Sequence, residues 1–240
     1  MDSAVRDLVQ SLKDSLHSQR SASNHNLAST ENKQSRERLL IGISGFPASG
    51  KSTLARVVAQ QVNRDLGGDV AVVVGLDGWH FSRAHLDTMP DPALAHARRG
   101  AHWTFDGESY ASFAQTLLDG TKSTFAPSFD HALKDPVADD VEVKSSHEIV
   151  IIEGLYVFLD IAPWRTAGEL LHERWFIDVE EIEARNRLAR RHVKSGICPD
   201  EASGLARADQ NDLPNGRFVR ENMLIPTRTI VSVADNQWSV

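Results

Sequence analysis

Leu39-Leu40-Ile41-Gly42-Ile43-Ser44-Gly45-Phe46-Pro47-Ala48-Ser49-Gly50-Lys51-Ser52-Thr53 is the stretch on which the fold turns. Its first five residues are short, apolar and β-branched, as a strand buried on both faces should be. The eight residues from Gly45 to Ser52 read G-x-x-x-x-G-K-S, the pattern of a phosphate-binding loop. A helical pattern then runs from Lys51 to about Leu66 and stops at Gly67-Gly68. Gly45 and Gly50 permit backbone turns that aim successive N–H groups inward at an anion. The loop also opens the helix at its positive dipole end.

Working outward, Val70 to Leu76 reads as a second buried strand, and Glu148 to Glu153 and Trp175 to Val179 as two more. Helical patterns fill much of the sequence between them. Strands alternating with helices predict an α/β fold with a mainly parallel sheet covered on both faces. Near the start, Val5, Leu8, Val9, Leu12 and Leu16 mark one face of an amphipathic helix. The polar, Ser- and Asn-rich run from Ser18 to Arg36 reads as a linker. The expected division is therefore 1–36, a helical extension with its linker, and 37–240, one domain. The helix packs either on that domain or on a second copy, as a homodimer.

The chain has 240 residues, with Lys plus Arg 26 against Asp plus Glu 33, so its net charge is -7. An acidic balance argues against a nucleic-acid polymer as partner. The single cysteine, Cys198, excludes an intrachain disulfide and a multi-Cys zinc site. No apolar run is long enough to span a membrane and the start has no signal-peptide character, so a cytoplasmic setting is expected.

The loop binds a nucleoside triphosphate. Lys51 reaches the β- and γ-phosphates, and the Ser52 hydroxyl is a Mg²⁺ ligand. Thr53 is a neighbouring phosphate contact or a plain helix residue. No N-K-x-D pattern follows the loop, which argues against a GTPase. Leu76-Asp77-Gly78-Trp79-His80 ends the second strand, where open α/β sheets bind ligands. Asp77 is read there either as a base or metal-water ligand, or as an Asp-Gly turn. Glu153 ends the third strand in the Walker-B position. Arg187, Arg190, Arg191 and Lys194 stand three or four residues apart on one helical face. They form either a lid over the transferring phosphoryl group or a solvated face paired with Glu180, Glu181 and Glu183.

Taken together, these motifs resemble the phosphoribulokinase/uridine kinase family of P-loop kinases over roughly Leu39 to Val233. L-D-G-W-H at Leu76 to His80 is similar to the family's D-G-F-H segment. A-R-R-G-A-H-W-T-F-D at Ala97 to Asp106 resembles its R-G-x-x-x-T-F-D stretch. Ala126-Pro127-Ser128-Phe129-Asp130-His131 resembles its substrate-side strand, Ile151 to Tyr156 its Walker-B region, and Arg187 to Gly196 its lid. Asn211-Asp212-x-x-Asn215-Gly216 is similar to uridine-kinase and pantothenate-kinase homologues that include fructose-kinase-like members. The second-strand motif is not that of true uridine kinases, and the pantothenate kinase tail is absent.

The resemblance implies a P-loop three-layer sandwich with a helical lid around 185–212. It implies ATP-dependent, Mg²⁺-dependent phosphorylation of a hydroxyl on a small molecule. Asp77 would be the base, Lys51, Arg187 and Arg191 the catalytic cations, and Ser52 with Glu153 the metal side. Gly45, Phe46, Pro47, Ala48, Ser49, Gly50, Lys51, Ser52 and Thr53 would hold the nucleotide. Asp77, Trp79, His80, Arg98, Arg99, His102, Trp103, Phe129, Asp130 and His131 would face the acceptor. Two rivals stay open: a nucleoside monophosphate kinase using Arg98-Arg99 as a second anion site, and a non-catalytic ATP-binding regulator.

Overall fold

The computed structural model describes residues 2–26, 37–130 and 132–232. His131 and the end of the polar run before residue 37 lie outside the described residues. The chain opens with α1 (Asp2–Asn26), β1 (Leu39–Gly45), α2 (Lys51–Leu66) and β2 (Ala71–Gly75). Short α3 (Arg83–Leu86) and α4 (Pro92–Ala97) precede α5 (Gly107–Thr116), β3 (Thr124–Asp130) and β4 (Asp135–Val143). Then come β5 (Ile149–Glu153), α6 (Trp164–Glu169), β6 (Glu173–Asp178), α7 (Glu181–Lys194), α8 (Glu201–Arg207), α9 (Leu213–Asn222) and β7 (Arg228–Val231).

Five strands form one sheet in the order β2-β5-β1-β6-β7, every neighbouring pair parallel. Side chains alternate between its faces, as the two-residue strand period requires. Ile41, Ile43, Ile149, Ile151, Trp175 and Ile177 enter one core with α1 and α2. Leu40, Val150, Ile152 and Phe176 enter the other, with Tyr110, Trp164 and Val219 from α5, α6 and α9. The result is the expected three-layer sandwich. Among the described residues no helix is long and apolar enough to cross a membrane.

The first helix departs from the expected division of the chain. Val5, Leu8, Val9, Leu12 and Leu16 are all buried, in the same core as β1, β5, β6 and α2. The helix is thus part of the central domain rather than an extension of it, and no second copy is needed to cover its apolar face. It also runs past Ser18, where the composition reads as linker. Arg20 explains why: its Nε and Nη2 donate to Glu148 at 2.9 and 2.7 Å, and that buried-end contact holds a turn of weak intrinsic helix preference.

Arg38 closes the same end of the sheet. It is 2% exposed and donates to the carbonyls of Leu117, Asp119, Lys122, His147 and Lys144. At the opposite end, β3 and β4 form a separate antiparallel hairpin. It packs on the 3-10 turn Leu76–Trp79 so closely that a Cβ at Gly78 would lie 2.2 Å from the Pro127 carbonyl.

Candidate active site

The phosphate-binding loop leaves β1 at the sheet centre. Gly45 is set by proximity: a Cβ there would fall 2.5 Å from the Ile177 carbonyl on β6. Gly50 is set by conformation, with φ 97 at the N-cap of α2. Ala48 is also left-handed, at φ 60, a strained value for a residue with a Cβ. Such turns gather backbone N–H groups into an anion-binding concavity. Pro47 has no N–H and contributes only shape. Phe46 offers its backbone alone, because its ring is fully buried in a small core with Val179, Leu188 and Leu213. Ser49 is buried as well, and its Oγ has no hydrogen-bond partner among the described residues. Thr53 lies half-buried in α2.

Register brings the acidic groups to this loop. Glu153 stands level with Gly75 of β2 and Ile43 of β1. Ser52 Oγ donates to Glu153 Oε1 at 2.8 Å. Asp77, exposed on the 3-10 turn after β2, lies within electrostatic reach of both Glu153 and Lys51. Lys51 Nζ donates to the carbonyls of Gly45 and Phe46 at 3.0 and 3.1 Å. Burial lowers Lys51 to about 8, with the Arg191 charge adding to that and Glu153 and Asp77 opposing it. Burial also pushes Glu153 up, helped by the Asp77 charge and resisted by Lys51 and the Ser52 hydrogen bond. Among the described residues no three His, Cys, Asp or Glu side chains cluster to hold a metal. A hydroxyl paired with one carboxylate still suits Mg²⁺, which keeps waters and takes phosphate oxygens as ligands.

The arginines of α7 divide. Arg187 is tied down: Nε donates to Glu183 at 2.7 Å, and Nη1 to Ser232 Oγ at 2.9 Å and the Ala48 carbonyl at 3.4 Å. These bonds place it against the phosphate-binding loop. Arg191 is exposed and close enough to Lys51 to depress it. Among the described residues, the solvated-face pairing with the first turn is seen at Arg187–Glu183. Arg185 instead reaches Asp209, and Glu181 bonds Arg217 of α9.

The residues expected to face an acceptor also divide. Trp79 is 3% exposed and packs on Tyr110 and Phe113 at 5.4 and 5.0 Å, so it is core and not pocket wall. Asp130 Oδ1 accepts from the backbone N–H groups of Ala132 and Leu133, so this carboxylate caps the hairpin turn. Arg99 donates to the carbonyls of Lys134 and Phe81 and to Asp135 Oδ1. It clamps the hairpin turn to the loop that follows β2. Arg98 bonds the Gln210 carbonyl and Asn215 Oδ1 at 3.4 and 3.3 Å.

His80 stays beside Asp77: its Nδ1 is 2.8 Å from the Asp77 carbonyl, and its ring lies 3.9 Å from Phe105 and 5.0 Å from Phe129. His102 stacks on Phe218 at 4.6 Å, and burial lowers its pKa, favouring the neutral ring. Trp103 is exposed.

Tyr156 was not singled out by the sequence, although it sits in the Walker-B segment. Its hydroxyl donates to the Gly100 carbonyl at 2.7 Å and lies within electrostatic reach of Arg98, Asp212 and Asp77. Burial raises its pKa, so it serves as a donor and not as a base. Arg220, over the Phe46 ring at 4.9 Å and bonded to Asp178, was equally hidden.

No family model matches the chain. A provisionally named uridine kinase of Schizosaccharomyces pombe is 41% identical over 191 residues, 79% of this chain and 81% of that one. An ATP-dependent kinase-like protein of Aspergillus versicolor is 46% identical over 153 residues, 62% of this chain and 89% of that one. Among solved structures, a provisionally named fructose transport system kinase of Silicibacter sp. superposes with a TM-score of 0.72 at 28% identity. That match covers 88% of this chain and 98% of the other. With relatives this similar over most of their length, and a phosphate-binding loop flanked by acidic strand ends, the chain belongs to the phosphoribulokinase/uridine kinase family of P-loop kinases.

Proposed function

We propose that this kinase uses ATP to phosphorylate a hydroxyl of a small, uncharged, polyhydroxylated molecule such as a sugar or nucleoside. The observation that carries the reading is the meeting of Asp77, the Ser52–Glu153 hydrogen bond and Lys51 beside neighbouring strand ends, with Arg191 of α7 within electrostatic reach of Lys51. A pure nucleotide binder needs no carboxylate poised at the turn beside the phosphates.

In this reading the loop N–H groups and Lys51 hold the β- and γ-phosphates, and Arg191 neutralises charge on the transferring group. Asp77 takes the proton of the attacking hydroxyl. Ser52 and Glu153 would hold Mg²⁺, which supplies charge neutralisation when bound. His80 and His102, set among Phe105, Phe129 and Phe218, offer hydrogen bonds to neutral hydroxyls.

Arg99 of the acceptor segment is neutralised by Asp135, which supports an uncharged acceptor. Arg98 is held only by the neutral Gln210 carbonyl and Asn215 amide and keeps its charge, so the nucleoside monophosphate alternative rests on it. The names of the relatives, a uridine kinase and a fructose transport system kinase, are of the same neutral class.

The test is an ATP-consumption screen over sugars, nucleosides and polyols run beside their monophosphates and hydroxylated carboxylates. Transfer confined to the uncharged set is expected. Turnover only with phosphorylated acceptors would overturn the reading in favour of a nucleotide kinase, and ATP binding without any transfer would favour a regulator.

A further inference from the structure

Between α8 and α9 the chain forms one π-helical turn, Ala208–Asp212, inside an otherwise continuous helix. Such turns carry an extra residue, shift the side chains that follow, and concentrate at functional sites. Here the shifted residues are those of the N-D-x-x-N-G motif. Asn211 and Asn215 are each 6% exposed, and they stand one helical turn apart on one side.

Three groups meet at this segment. Toward the acceptor side, Asn211 Nδ2 donates to the Arg99 carbonyl at 3.3 Å, while Arg98 reaches the Gln210 carbonyl and Asn215. Toward the arginine helix, Asp212 Oδ2 is 2.9 Å from His192 Nε2, and Asp209 takes both Nε and Nη2 of Arg185 at 2.5 and 2.6 Å. Toward the phosphate-binding loop, Gly216 lies so near Phe46 that a Cβ would fall 2.6 Å from its ring.

The bonds to α7 are short and made by carboxylates, whereas those to the acceptor segment are long. Asn211 Oδ1 and Arg98 Nε on the long side, and His192 Nδ1 on the α7 side, are buried with no hydrogen-bond partner among the described residues. A junction that leaves buried polar atoms unpartnered on both sides is an element with a second arrangement within reach.

We propose that Asn211 and Asp212 are positioning residues, through which the π-turn couples the arginine helix α7 to the acceptor segment Arg98–Ala101. This rests on the kinase reading, because α7 must respond to the γ-phosphate. When Arg191 engages that phosphate, the bonds from Asp212 to His192 and from Asp209 to Arg185 carry the π-turn with α7. Asn211 and Arg98 then tighten the acceptor segment. The segment is thereby set only when nucleotide is in place, which orders the acceptor pocket after the phosphoryl donor.

Hydrogen exchange tests this on the full chain, with the non-hydrolysable β,γ-imido analogue of ATP plus Mg²⁺ as probe. The reporting amides are Gly100, which donates to Thr104 Oγ1, and Ala101, which donates to the Arg98 carbonyl. In the unaltered protein the analogue should slow exchange at residues 98–101 as well as at 185–194, by a factor of about 5 to 150. In Asn211→Ala the slowing at 185–194 should remain and that at 98–101 should vanish, whereas a merely structural loss would raise exchange throughout. Arg98→Lys, which cannot span Gln210 and Asn215 together, should give the same pattern if Asn211→Ala does not fold. Full nucleotide-dependent slowing at 98–101 in a folded variant, or none there in the unaltered protein, would overturn the coupling alone. Failure of the analogue to bind the unaltered protein would overturn the kinase reading and the coupling with it.

Discussion

On the face covered by α1 and α2, five buried apolar side chains of α1 meet the β-branched rows of three strands. Its polar groups are paired at the rim, by Arg20–Glu148, Lys13–Asp65 and Arg228 to Ser11. At the junction of 98–100 with 208–216, polar side chains are buried, their bonds run to 3.4 Å, and atoms of Arg98, Arg99 and Asn211 are unpartnered among the described residues. A buried polar atom left without a partner costs about 1–3 kcal/mol. One face of the molecule is settled by folding, and the other holds back bonds that a closing movement can complete.

The comparison breaks first if α1 proves dispensable. Five side chains of this kind contribute about 1.5–3 kcal/mol each, which together rivals the whole stability of a domain, about 5–15 kcal/mol. Removing residues 1–36 should therefore abolish cooperative thermal unfolding and leave an aggregating chain. A truncated protein with a sharp transition near that of the parent would show that α1 only decorates the sheet.

At the polar end the largest effect should follow Asp77→Asn. Asn keeps the size of Asp and suits an Asp-Gly turn, so folding and nucleotide affinity should hold. It takes no proton at neutral pH, and turnover should fall by roughly 10²- to 10⁴-fold. Near-normal turnover in steady-state assays would reduce Asp77 to a turn residue.

Arg191 and Arg187 separate the two kinds of arginine on α7. Arg191→Ala should lower turnover by about ten- to a thousandfold with a smaller change in nucleotide affinity, because the charge acts on the transferring group. Arg191→Lys should recover part of it. Arg187→Ala removes a brace on the Ala48 carbonyl, so its effect should appear chiefly in nucleotide affinity. Measured kcat and KM for ATP that shift alike in the two variants would erase the distinction.

The contrast also marks what could be read in the sequence. The strand, loop and helix from Leu39 to Leu66 were legible because each step is local: β-branched residues, then glycines, then a helical period. Glu153 and Asp77 were legible as positions at strand ends. The pairings that decide the remainder are distant in sequence. Arg20 finds Glu148 across 128 residues and thereby extends a helix whose composition reads as linker. Arg99 finds Asp135 across 36, which turns an apparent substrate cation into a clamp. Trp79 sits in a motif beside the site, yet its ring turns the other way into Tyr110 and Phe113. No local pattern states which face of a turn a side chain will take.

The smallest expected effect sits on Lys51. Its pKa of about 8 comes first from burial, so near pH 8 the folded protein holds this ammonium only about half protonated. Bringing the triphosphate to the loop favours the charged form and raises the pKa, so binding must take up protons. At pH 8 the uptake should be roughly half a proton per nucleotide, rising toward pH 9 and fading below pH 7, where Lys51 is already charged. The nucleotide's own last ionisation, about 6 for a phosphate ester, contributes little there. Glu153 works in the opposite direction: burial raises it, and a cation at Ser52 and Glu153 would favour its charged form. Calorimetric titration at pH 8 in two buffers of different ionisation enthalpy reads the uptake directly. Lys51→Met should abolish it. Equal heats in both buffers would mean that Lys51 is fully charged before nucleotide arrives, and that solvent reaches it through the loop.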